Sequence, residues 1–186
     1  MKYLLFIIMF LSVVAPASAQ RYLPGQRGLQ VTGGTVNGMN LKSGFHSGIA
    51  FSQYTEGADR WMLGIEYLEK RHPYRDIQIP QSQVTVDAGY YLKFLSDWRK
   101  IFFLSVGASA VAGYETVNRN EKLLFDGATI NNKDAFIYGG ALTLEAEIYL
   151  SDRIVLLCNI RERLLGGSSA GKLNSQIGIG IKVIIN

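Results

Sequence analysis

The chain has 186 residues, with 19 Lys and Arg against 15 Asp and Glu, a net charge of +4 when both histidines are neutral. That length is the size of one domain, and so mild an excess of base is not the footprint of a nucleic-acid binder. Cys158 is the only cysteine, which excludes an internal disulfide and leaves the fold to be held by packing and hydrogen bonding.

Met1-Lys2, an apolar run from Tyr3 to Val14 and the Ala17-Ser18-Ala19 tripeptide form a charged, an apolar and a small-residue region in that order. This is the pattern of a secretory signal peptide over residues 1–19, because a dozen apolar residues fall short of the roughly 20 that span a bilayer as a helix. The expected mature chain is an irregular lead-in over residues 20–27, with Pro24 and Gly25, followed by one domain over residues 28–186. No apolar run after Val14 approaches the length of a transmembrane helix, so any passage through a membrane must be made by strands.

Period-2 alternation then recurs along the chain. A weak first strand over Gly28 to Asn37 sets Leu29 and Val31 against Gln30 and Thr32. A second, Gly44 to Tyr54, sets Phe45, Ile49 and Phe51 against His46, Gly48, Ala50 and Ser52. After a turn over Thr55 to Arg60, a third strand over Trp61 to Lys70 sets Trp61, Leu63, Ile65 and Tyr67 against Gly64 and Glu66. Arg71 to Gln81 carries Pro73 and Pro80 and is expected as a loop, since proline is kept out of central strands. The fourth strand sets Val84, Val86, Ala88, Tyr90 and Leu92 against Thr85, Asp87, Gly89, Tyr91 and Lys93. A short turn near Ser96 to Lys100 precedes a fifth, Ile101 to Thr116, with Ser105, Gly107, Ser109 and Gly113 on one face. Asn118 to Asp134 is the longest expected loop. The sixth and seventh strands form a long hairpin over Ala135 to Leu165, with Glu145 and Glu147 on the polar face of one and Asn159, Arg161 and Arg163 on that of the other. Gly166 to Lys172 is a loop, and the eighth strand, Leu173 to Ile185, sets Ile177, Ile179, Ile181 and Val183 against Gln176, Gly178, Gly180 and Lys182.

Eight strands suit both a small outer-membrane barrel and a lipocalin-like soluble barrel, which differ only in which face is inside. Four features favour the membrane form. Short connections after strands two, four and six alternate with longer ones after three, five and seven. The polar faces of strands five and eight are built of tiny residues, as a crowded interior requires. Trp61, Phe94, Trp98 and Phe102 gather near the short turns, and Tyr67, Tyr114, Phe136 and Tyr138 toward the long loops, like two interfacial girdles. The charges intruding on the apolar faces, Glu69 and Glu162, lie near the long-loop ends, where a charge is cheapest. The expected fold is all-β, an eight-stranded antiparallel up-and-down β-barrel of outer-membrane type in a Gram-negative envelope. A soluble periplasmic barrel binding an apolar ligand or partner, lined by Val84, Val86, Tyr90 and Leu92, is the alternative.

With that sidedness the interior holds Glu66, Asp87, Glu145 and Glu147 with Lys93, Arg161, Arg163 and Lys182, four acids and four bases. Buried charges persist when paired, so this set is expected to be a structural filling and not an ion path. No catalytic, cofactor-binding or metal residues are expected. His72 with Asp76 or Ser82 is the candidate for a lipid-acting barrel enzyme, a second alternative; His46 is expected as an interior hydrogen-bonding group. Neither histidine has a ligand set at metal spacing. Cys158 is expected as a small buried hydrophobe, and the glycine pairs lack the Gly-Lys-Ser/Thr of a phosphate loop.

The stretches Tyr90-Tyr91-Leu92-Lys93-Phe94-Leu95-Ser96-Asp97, Ile101 to Asn118, Asp134 to Leu165 and the tail GIGIKVIIN resemble the conjugative-transposon protein TraO family, with the likeness strongest from Tyr90 onward. The resemblance implies an exported, non-enzymatic component of the apparatus that transfers conjugative elements between cells. It implies outer-membrane lipid and other transfer proteins as partners, and supplies no catalytic residues.

Overall fold

A computed structural model describes residues 22–38, 44–74, 77–118, 134–168, 171 and 173–185, with the backbone alone at 72–74 and 77–78. Strands β1 (Arg27–Val36), β2 (Gly44–Tyr54), β3 (Arg60–Tyr74), β4 (Ile77–Ser96), β5 (Phe102–Val117), β6 (Ala135–Tyr149), β7 (Ile154–Gly166) and β8 (Leu173–Ile185) each pair antiparallel with the next. β1 pairs β8 from Arg27↔Ile185 to Val36↔Gln176, which closes the sheet into a barrel. The expected signal peptide lies outside the described residues.

Alternation in burial shows the sidedness of the strands. In β5, Ser105, Gly107, Ser109 and Glu115 point in while Val106 and Tyr114 point out. In β8, Gln176 and Lys182 are buried while Ile177, Ile179, Ile181 and Val183 are exposed. The outer wall is thus apolar and the lumen polar, the reverse of a soluble barrel. Val84, Val86 and Leu92 face outward, roughly half exposed each, so they do not line the cavity that a ligand-binding soluble barrel would need.

The expected loop over Arg71 to Gln81 is instead strand. β3 and β4 continue pairing through Arg71↔Pro80, His72↔Ile79, Pro73↔Gln78 and Tyr74↔Ile77, leaving only residues 75 and 76 between them. A two-residue connection makes Tyr74↔Ile77 a hydrogen-bonded pair, and such pairs alternate with non-bonded ones along an antiparallel ladder. Pro73↔Gln78 and Arg71↔Pro80 are then the non-bonded positions, whose nitrogens point out of the hairpin. β2 pairs only as far as Gly44↔Lys70, and β5 only as far as Gln81↔Val117. Among the described residues no neighbouring strand is left to need the N–H groups that the prolines lack. Beyond these limits the hairpin stands four residue pairs clear of the strands beside it, about 13 Å at the usual rise.

The opposite end carries the tight turns. Gly25, at φ +86, lets the lead-in fold back, its N–H donating to the Tyr54 carbonyl at 2.8 Å. This sets the Tyr22 ring in the barrel mouth, stacked on Tyr54 with centroids 4.1 Å apart and edge-on to Phe103 and Tyr149. With Val155, Leu157 and Ile184 these rings form an apolar stopper. In the β4–β5 turn, Asp97 Oδ1 accepts the N–H groups of Ile101 at 2.7 Å and Phe102 at 2.8 Å. Slight desolvation raises the Asp97 carboxyl and the N–H groups of Phe102 and Ile101 more than offset it, so it is held below the usual aspartate range.

Interior glycines make room for large neighbours. Gly107 pairs with Tyr91, and a Cβ there would lie 2.6 Å from the Tyr91 ring, whose centroid is 4.8 Å from the Arg60 guanidinium carbon. Gly107→Ala is therefore expected to push the ring toward Arg60 and cost about 1–3 kcal/mol, the usual range for overpacking, measured by urea unfolding in detergent micelles.

Candidate functional site

The lumen is where the chain concentrates its chemistry. Near the tight-turn end, Arg60 and Lys182 meet Glu145 and Glu147. Arg60 Nη2 lies 2.6 Å from Glu145 Oε1 and Nη1 lies 3.5 Å from Glu147 Oε2. Lys182 Nζ pairs with Glu147, lies 3.6 Å from Glu145 Oε1 and donates to Tyr54 Oη at 3.0 Å. The Tyr22 hydroxyl donates to Glu147, which ties the stopper to the ions above it.

Further toward the long loops, Arg161 and Arg163 meet Glu66 and Asp87. Arg163 Nη1 is 2.8 Å from Glu66 Oε1, and Arg161 reaches Glu66 Oε2 at 3.4 Å and Asp87 Oδ2 at 3.1 Å. Neutral groups complete the set: Gln176 Nε2 donates to Glu66 at 2.6 Å, and Arg163 Nη2 donates to Thr85 Oγ1 at 3.1 Å. His46 Nδ1 stands 3.7 Å from Glu66 Oε2. A third layer follows, with Lys70 donating to Asn174 and Glu115 accepting from Gln83 at 2.8 Å and Ser168 at 2.7 Å.

Each ionic cluster holds two acids and two bases and is neutral by itself. Two isolated charges cannot leave water without such pairing. Between the clusters a cavity of about 30 Å³, lined by Gln30, His46, Met62 and Tyr91 among others, has room for one or two waters.

Seven of the eight charges expected inside are brought together here: Glu66, Asp87, Glu145, Glu147, Arg161, Arg163 and Lys182. Lys93 is not among them. The β4–β5 register shifts between Lys93 and Leu95, and Lys93 sits half-buried at the mouth, lining an open cleft with Tyr22, Lys100 and Phe103. Its place is taken by Arg60, fully buried as the first residue of β3 and not part of the preceding turn. The available signal was parity: Arg60 falls on the same face as Met62, Gly64 and Glu66.

Outside, Cys158 is exposed on the outer wall and not buried in protein. Glu69, near the long-loop rim, accepts from Tyr67 Oη at 3.1 Å and from Arg71 Nε at 3.0 Å. Ser82 is held by Tyr67 Oη at 3.1 Å; Asp76 and the His72 side chain lie outside what is described. Among the described residues no group of three or more His, Cys, Asp or Glu is placed to hold a metal.

Residues 23–185 match the family described as conjugative transposon protein TraO. The chain belongs to the TraO family. The match spans every described strand, so the barrel is what this TraO sequence encodes. A comparison with curated proteins gives no match. Among solved structures the chain is similar to Neisserial surface protein A, at 11% identity and TM-score 0.53, covering 87% of this chain and 97% of that one. It is also similar to Ail, the attachment invasion locus protein of Yersinia pestis, at 9% identity and TM-score 0.50, covering 87% and 99%. At such identities the likeness concerns fold: this TraO protein has the closed eight-stranded barrel of small outer-membrane proteins.

Removing one member of a buried ion cluster leaves the others unneutralised. Arg60→Met is expected to destabilise by about 3–5 kcal/mol, and adding Glu145→Gln to recover part of that loss. Lys93→Met, outside the clusters, should change unfolding midpoints little. Urea titrations followed by tryptophan fluorescence measure all three.

Proposed function

We propose that the protein is a non-conducting outer-membrane anchor of a conjugative transfer apparatus, holding its long-loop end out for contact with other transfer proteins. The observation that carries this reading is the pairing of an apolar outer wall with a lumen that is filled and stoppered. Leu63, Ile65, Val84, Leu142, Ile160 and Ile179 present apolar surface on the outer wall, and Trp61, Phe94, Tyr114, Phe136 and Tyr138 are exposed on it as well. That wall is suited to hydrocarbon. An eight-stranded barrel is only wide enough for its own side chains, and here two ion clusters fill it while Tyr22, Tyr54, Phe103 and Tyr149 close one mouth. A pore would need the opposite, a continuous wet path.

The transfer role rests on membership of the TraO family. Lipid contact by the wall, export by the residue 1–19 leader and docking of transfer proteins at the loops are parts of the proposal. The charged interior serves as filling and carries no catalysis.

Three measurements test the reading together. The mature chain is expected in the outer-membrane fraction, migrating heat-modifiably on gels, and recovery in the soluble periplasm would refute the anchor. In planar bilayers it should give no stepwise conductance. Deleting its gene from a conjugative element should lower transfer frequency, with complementation restoring it.

A further inference from the structure

The β4–β5 turn has features that neither the barrel nor its lumen requires. Trp98 is 85% exposed, far more than the strand-borne aromatics, and Phe94 and Leu95 beside it are at least half exposed. The register shift at Lys93 and Leu95 turns this end of β4 out of regular alternation. The guanidinium of Arg99 lies over the Trp98 indole, 4.6 Å from its centroid. Lys100 follows at φ +54, a left-handed conformation that glycine or asparagine adopts more readily than lysine. The turn's own carboxylate, Asp97, is directed at the N–H groups of Ile101 and Phe102. Among the described residues neither Arg99 nor Lys100 makes an ion pair.

The turn therefore offers an indole and two apolar side chains, topped by two cations with free donors. Its apolar part adjoins the outer wall, since Leu95 pairs with the half-buried Leu104 and Leu92 with the exposed Val106 across β4 and β5. Tryptophan partitions to the layer between hydrocarbon and water, and a guanidinium stacked on an indole keeps its edge N–H groups for a phosphate. We propose that this turn is a headgroup site for an anionic phospholipid, with Trp98, Phe94 and Leu95 seated in the interfacial layer and Arg99 and Lys100 on the lipid phosphate. The continuity with the wall selects a lipid over a protein partner. The proposal rests on the wall being lipid-facing, as inferred above, and names what the tight-turn rim recognises.

The chain's only two tryptophans, Trp61 and Trp98, separate the two questions. Trp61→Phe leaves Trp98 as the sole indole reporter in the full mature chain, reconstituted in phosphatidylcholine vesicles with and without phosphatidylglycerol. Lipid brominated near the headgroup should quench Trp98 more than lipid brominated at the chain end. Phosphatidylglycerol should strengthen that quenching and reduce quenching by aqueous iodide. Arg99→Gln with Lys100→Gln should abolish the phosphatidylglycerol dependence while heat-modifiability is retained. Indifference to phosphatidylglycerol in the protein with both cations, or iodide quenching as complete as for a free indole, overturns the headgroup site. The Trp98→Phe protein reports on Trp61 instead. Quenching of Trp61 by bromolipid upholds lipid contact even where the headgroup site fails, and its absence refutes the anchor itself.

Discussion

Neutralisation of charge inside a narrow, closed wall is the constraint on which the rest of the structure depends. Once the outer faces are committed to apolar side chains, the ionic groups of the strands away from the rims go inward, where an unpaired charge is costly by several kcal/mol. The chain answers with two clusters, Arg60 and Lys182 with Glu145 and Glu147, and Arg161 and Arg163 with Glu66 and Asp87. These long side chains need volume. Glycines supply part of it: Gly28 lies against Lys182, Gly48 against Glu66 and Gly64 against Asp87. The small residues and the charges of the interior are two halves of one packing solution.

The stopper follows from the same arrangement. Tyr22 lies outside the strands, yet its hydroxyl reaches Glu147 and its ring completes the cluster of Tyr54, Phe103 and Tyr149. The lead-in is therefore part of the core, fixed by Gly25 turning the chain back under the mouth. Lumen and lead-in together make a solid post, and a solid post suits an anchor better than a conduit.

Much of this was legible in the sequence because a strand buried on one face writes its sidedness every second residue. Ile177 to Val183 against Gln176 to Lys182, and Leu142 to Ile148 against Thr143 to Glu147, sort into two faces by alternation alone, and the tiny residues and aromatic placement say which face is inside. What was not legible has local causes. Arg60 was hidden because a strand's first residue looks like the end of a turn, and only its parity with Glu66 marks it as interior. Lys93 obeyed parity and still missed the network, because a register shift beside it ends the regular ladder at the mouth. The prolines misled for a subtler reason. The rule against proline in a strand concerns ladder N–H groups, and whether a given N–H faces a neighbour depends on register and on where that neighbour stops. Alternation within one strand carries neither fact.

The free hairpin has a consequence for how copies of the protein coexist. A strand pair that outruns its sheet has two backbone edges with no strand beside them among the described residues, and unpaired edges are where β-proteins fuse into aggregates. Pro73 lies on one edge and Pro80 on the other, each at a position whose nitrogen points outward. A second strand approaching either side meets a ring where it needs a donor. Crowded together in one membrane, such barrels could brush hairpins without zippering into fibres, because the strand pair that outruns its described neighbours is also poorly able to polymerise.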